Sequence, residues 1–154
     1  MSWQMFAGVA FVALLGGCDR NDFQPVRFSP VSEELFDEGG ALTDAWADVD
    51  LDGDPDRFVG FNGTPSRLYR NDGIDGFVDI ASEVGLMTKR SVRTSAWGDF
   101  DSDGDPDLLL GYSGEDPVIA LWKNNGATFT EVSEMVGLRI VSGTTRQAAW
   151  VDVD

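Results

Sequence analysis

One tryptophan-led segment, written three times along the chain, constrains the fold more than any other feature. Ala45-Trp46-Ala47-Asp48-Val49-Asp50 returns as Ala96-Trp97-Gly98-Asp99-Phe100-Asp101, and again as Ala149-Trp150-Val151-Asp152-Val153-Asp154. The tryptophans stand 51 and then 53 residues apart, and other landmarks keep the same register. Leu68-Tyr69-Arg70-Asn71-Asp72-Gly73 answers to Leu121-Trp122-Lys123-Asn124-Asn125-Gly126. Residues 77–86 (FVDIASEVGL) answer to 129–138 (FTEVSEMVGL), with a degenerate earlier copy at 28–34 (FSPVSEE). Such a chain must stack one supersecondary unit on the next, because a single unit leaves its apolar face uncovered. A period of roughly 50 residues is that of propeller blades and of the larger solenoids.

The strand pattern separates the two. In the second repeat, short apolar runs at 95–100, 108–112, 119–123 and 128–132 are broken by glycine, proline and acidic turns. These runs are too short for helices, and four strands per repeat is the make-up of a propeller blade. Asn125-Gly126 predicts a two-residue hairpin of type I′, in which both central residues take positive φ, and Asp72-Gly73 is its counterpart. Residues 82–86 and 133–138 are each long enough for one helical turn. Alternation puts Trp97 on one face of its strand and Ala96, Gly98 and Phe100 on the other, as in a sheet covered on both sides. Trp46, Trp97 and Trp150 are accordingly expected in the core. The fold class is all-β: a partial β-propeller of about two four-stranded blades and the start of a third.

After each complete tryptophan strand comes a run of alternating carboxylates. Asp48, Asp50, Asp52, Asp54 and Asp56 (loop 48–56) match Asp99, Asp101, Asp103, Asp105 and Asp107 (loop 99–107). Asp152 and Asp154 begin a truncated third loop at 152–154. Five carboxylates within nine residues repel one another unless a cation neutralises them. Ca²⁺ takes six to eight oxygens at about 2.3–2.6 Å, and D-x-D-x-D-G brings positions 1, 3 and 5 to one point. Gly53 and Gly104 allow the sharp turn at position 6. Position 7 (Asp54, Asp105) is expected to supply a main-chain carbonyl, and position 9 (Asp56, Asp107) the closing carboxylate. An EF-hand would need a glutamate at position 12, where Val59 and Leu110 stand. Magnesium prefers fewer carboxylates and more water, so the loops predict calcium.

The pattern A-W-x-D-x-D-x-D-G-D-P-D followed by an apolar strand resembles the FG-GAP/VCBS repeat, the blade of integrin α-chain propellers. The flanking L-[YW]-x-N-x-G segment is similar to bacterial surface proteins of the ASPIC/UnbV-associated group. The resemblance spans residues 28–154 and implies a seven-bladed propeller. It also implies Ca²⁺ clamped between the first two strands of each blade, a place outside the cytoplasm and a role in adhesion or recognition. With two complete repeats and a third that stops at Asp154, the sequence is expected to be the N-terminal part of a longer protein.

Residues 5–15 (MFAGVAFVALL) are too short an apolar run to span a bilayer and suit a secretory signal. The run ends in Leu15-Gly16-Gly17-Cys18, which resembles a lipobox, so residues 1–18 are expected to be a signal peptide with Cys18 as the lipidated residue. Residues 19–27 form a linker, and the only expected contact with a membrane is this anchor. Asp19, directly after Cys18, resembles an inner-membrane retention signal.

The remaining composition excludes several functions. With 27 acidic residues against 11 basic ones, a net charge of −16, the chain is not built to bind nucleic acid. The absence of histidine removes Ser-His-Asp and Cys-His catalysis and His-ligated metals, and a lone cysteine builds no disulfide or iron–sulfur site. Lys89, Arg90 and Arg93 form a small basic cluster expected to be solvated or paired with nearby acids. The expected function is a non-catalytic, calcium-stabilised scaffold for a protein or polysaccharide ligand. The alternative is the propeller part of a secreted enzyme acting on polysaccharide or aromatic polymer, its catalytic part lying elsewhere.

Overall fold

Alternating apolar runs and glycine-rich breaks produce eight strands in the computed structural model, which describes residues 39–114, 117–140 and 142–151. The first four are β1 (Ala41–Ala47), β2 (Asp56–Phe61), β3 (Arg67–Asn71) and β4 (Phe77–Asp79). The second four are β5 (Val92–Gly98), β6 (Asp107–Tyr112), β7 (Ile119–Asn124) and β8 (Phe129–Glu131). They form two antiparallel four-stranded sheets, ordered β1-β2-β3-β4 and β5-β6-β7-β8, each strand beside its neighbour in sequence. This is the up-and-down make-up of propeller blades. The described residues contain no α-helix, only a 3₁₀ turn at Gly73–Asp75. Cys18, the other residues of the expected signal and linker, and Asp152 and Asp154 lie outside the described residues.

The two sheets repeat down to their irregularities. The β1–β2 register shifts between Ala41 and Thr43, and the β5–β6 register shifts between Val92 and Thr94. The core lies between the sheets. Phe58 and Leu68 of the first sheet meet Leu108, Leu110, Tyr112, Ala120 and Phe129 of the second, with Leu86 from the connecting segment. Every residue of β2 is buried, which a strand can sustain only when both of its faces are covered.

Trp97 stands between the sheets, edge-on to Phe58 at 6.5 Å and 5.9 Å from Phe129, and packs against the core as expected. Trp46, on the opposite face of the first sheet, is only half-buried, beside Phe77 and Arg57. Trp150 is 40% exposed and donates its indole N–H to Ala96 O. Of the three, only Trp97 lies between the two described sheets, which accounts for the difference.

Glycines on the second strands set how closely the segment that follows each sheet can approach. A Cβ on Gly60 would lie 2.6 Å from Val92 Cβ, and one on Gly111, its counterpart, 2.5 Å from Thr145 Cγ2. Beside them, Thr43 Oγ1 and Ser95 Oγ are 3.0 Å apart, and Thr94 Oγ1 accepts the Ala148 N–H at 3.0 Å.

The hairpin at Asn125-Gly126 departs from type I′. Gly126 alone has positive φ (79°), and Asn125 N–H donates to Thr128 O, closing a four-residue loop between β7 and β8. The Asn124 carboxamide accepts the Gly126 N–H at 3.0 Å, an Asx turn that replaces the two-residue geometry. The first repeat holds one more residue here and takes it up in the 3₁₀ turn. The two single turns do form. Leu86 N–H reaches Ala81 O past Gly85 (φ 79°), and Leu138 N–H reaches Ser133 O past Gly137 (φ 73°). In the basic cluster, Arg90 lies over the Tyr112 ring at 3.5 Å, while Lys89 and Arg93 are exposed.

Replacing Gly60 by alanine is expected to lower the unfolding free energy by about 1–3 kcal/mol through overpacking against Val92 and Thr43. Urea denaturation measures it. Gly39→Ala, where nothing lies within 4 Å, is the control and should leave stability unchanged.

Candidate metal centre

Each acidic loop begins where a first strand ends, Asp48 following Ala47 and Asp99 following Gly98. The loops wind around their own leading carboxylates. Asp48 accepts the N–H groups of Asp52 (3.1 Å) and Gly53 (3.0 Å), and Asp99 accepts those of Asp103 (3.2 Å) and Gly104 (3.0 Å). Asp52 and Asp103 then cap the N–H groups of Asp54 (2.8 Å) and Asp105 (3.0 Å). This winding requires left-handed backbone twice per loop. Gly53 (φ 99°) and Gly104 (φ 95°) adopt it freely. Leu51 and Ser102, both at φ 61°, carry side chains there, which for leucine costs on the order of 1 kcal/mol. The same strain at the same position of two loops marks a shape that the sequence imposes.

The winding brings carboxylates together. In the first loop Asp48, Asp50 and Asp52 each offer an oxygen within 4.8 Å of the others; in the second, Asp99, Asp101 and Asp107 do so. Asp54 and Asp105 stand outside both groups. Their side chains face the β3–β4 and β7–β8 turns, where Asp54 Oδ2 is 3.2 Å from a Cβ placed on Gly73.

Asp56 and Asp107 do structural work at the base of each loop. Both are fully buried. Asp56 accepts the N–H of Val49 (2.7 Å) from the loop and of Asn71 (2.8 Å) from the end of β3. Asp107 accepts those of Phe100 (3.0 Å) and Asn124 (2.8 Å). Burial raises the pKa of both carboxyls above the ordinary aspartate value, against the lowering effect of these hydrogen bonds.

Two functional features were missed in the sequence, and both lie in the repeated L-[YW]-[RK]-N segment. The carboxamide of Asn124 crosses from the second sheet to donate to Val49 O at 2.9 Å, so the second blade braces the first blade's loop. Lys123 turns its ammonium onto Asp101 and, at 2.9 Å, Asp103. Its pKa is raised by these bonds, to Asp101 first, and that of Asp103 is lowered by Lys123. Asp103 is not one of the three carboxylates gathered in the second loop. Arg70 has the equivalent place in the first repeat, but its guanidinium pairs with Asp72 at 2.6 and 3.1 Å. Among the described residues, no lysine or arginine pairs with Asp48, Asp50 or Asp52.

The donors fit a hard cation. The gathered atoms are all carboxylate oxygens, and the Lys123 ammonium already stands in for a cation on two of the second loop's aspartates. Asp48, Asp50 and Asp52 would hold such an ion in the first loop, and Asp99 and Asp101 with Asp107 in the second.

Asp107→Ala is expected to cost about 2–4 kcal/mol even with metal chelated, because it strands two main-chain donors. Asp105→Ala should cost about 0.5 kcal/mol or less, both being read by chemical denaturation in EGTA. Leu51→Asn, which tolerates left-handed backbone, should stabilise the protein by on the order of 1 kcal/mol, seen as a higher melting temperature.

A model of the FG-GAP-like repeat matches residues 48–110 and 99–154, so each match begins at the first aspartate of a loop. No curated protein gives a significant match. With both acidic loops, strands β2–β4 of the first sheet and all of the second sheet inside the matched span, this chain belongs to the FG-GAP-like repeat family.

Proposed function

We propose that the protein is a non-catalytic, calcium-stabilised propeller scaffold that presents its loop faces to a protein or polysaccharide ligand outside the cytoplasm. One observation carries the calcium reading: two loops 51 residues apart gather three carboxylates each on the same strained backbone, Leu51 and Ser102 at φ 61°. Local mutual repulsion and strain of this kind are offset when a divalent cation binds, and the binding free energy then becomes folding free energy. The ion would pin the β1–β2 and β5–β6 connections.

The scaffold reading is supported by where the acidic groups sit. They belong to the repeated loop, and a catalytic centre is ordinarily a single, non-repeating constellation. The lipobox-like ending at Cys18 supports export and a lipid anchor, and the family resemblance supports a ring of seven blades.

Adding calcium to the EGTA-treated protein is expected to raise its melting temperature, by an amount that grows with the logarithm of calcium concentration. A flat response would remove the calcium reading. The Asp50→Asn, Asp52→Asn double variant should bind about one ion fewer per chain. An unchanged stoichiometry would remove the ligand assignment.

A further inference from the structure

We propose that Lys123 is a built-in counter-cation that makes the two loops unequal, so that the first loop fills at lower calcium concentration than the second. This rests on the calcium reading above. Lys123 projects from β7 across the second loop and pairs with Asp101, one of the three carboxylates gathered there, and with Asp103 beside it. Its seat is shaped for it: the ammonium lies 6.0 Å from the centroid of the Phe100 ring, and the first loop has Val49 at that position. The ammonium and a divalent ion repel each other and want the same oxygens. Filling the second loop therefore requires Lys123 to leave Asp101.

The first loop carries the same basic position without the same competition. Arg70 and Asp50 line one groove, but Asp72 holds the guanidinium through two hydrogen bonds, at 2.6 and 3.1 Å. A neighbouring acid thus takes up the first repeat's cation, and in the second repeat Asn125 replaces that acid. One substitution in the turn, aspartate to asparagine, accompanies the release of the basic side chain onto the loop.

Calorimetric titration of the full chain with calcium, after EGTA treatment and its removal, tests this. Wild type should show two classes of site. Lys123→Met and Lys123→Gln should each tighten the weaker class by roughly three- to thirtyfold, in line with loss of two half-exposed ion pairs and of cation–cation repulsion, and leave the tighter class unchanged. The two variants differ in shape but share the lost charge, so either one that folds gives the answer. A change in the weaker constant smaller than about threefold overturns the role of Lys123 while calcium binding stands. Absence of calcium binding in wild type overturns the calcium reading and this inference together.

Discussion

A carboxylate buried at the start of each second strand is the interaction on which the blade depends. Asp56 is hydrogen-bonded to the loop through Val49 N–H and to the third strand through Asn71 N–H, and Asp107 repeats the arrangement with Phe100 and Asn124. The second strand, the third strand and the acidic loop thus meet at one side chain. A buried charge is costly unless its lone pairs are satisfied, and here main-chain donors satisfy them at both sites. The acidic loop above each carboxylate can take a strained course because its base is fixed.

Packing follows from that fixed base. With the loop and the first two strands held together, alternation decides which side chains enter the space between sheets, and Phe58, Trp97 and Phe129 fill it. Gly60 lets Val92 of β5 approach, and Gly111 lets Thr145 approach, where any side chain would collide. The repeat is therefore kept by backbone clearance as much as by apolar pattern.

Most of this architecture was legible in the sequence. The recurring tryptophan strand, the four apolar runs and the D-x-D-x-D-G spacing each have a local cause. The first two copies of the tryptophan strand and both sets of four strands form where the repeat placed them, while 149–151 carry no strand. The structure begins β5 at Val92, earlier than the run at 95–100, because pairing with β6 extends it past the alternating core. What stayed hidden depended on contacts across the fold. The spacing does not reveal that Asp56 and Asp107 are buried and hold the main chain of loop and third strand, nor that Asp107 but not Asp56 joins its loop's gathered carboxylates. The Asn125-Gly126 pair has a type I′ composition, but the Asn124 side chain outcompetes that turn. Nothing in linear order reveals that the Lys123 ammonium reaches back some twenty residues to Asp101 and Asp103.

The bond from Asn124 to Val49 O joins the second sheet to the first sheet's loop over a sequence separation of 75 residues. Any free energy that orders the first loop is consequently shared with the docking of the next blade, and any loss of that docking loosens the loop. In a linear array such a bond acts as a nearest-neighbour coupling constant. Stability then depends on how many adjacent pairs are formed, so a run of these repeats behaves as a chain of linked switches, and order at one end raises the probability of order further along.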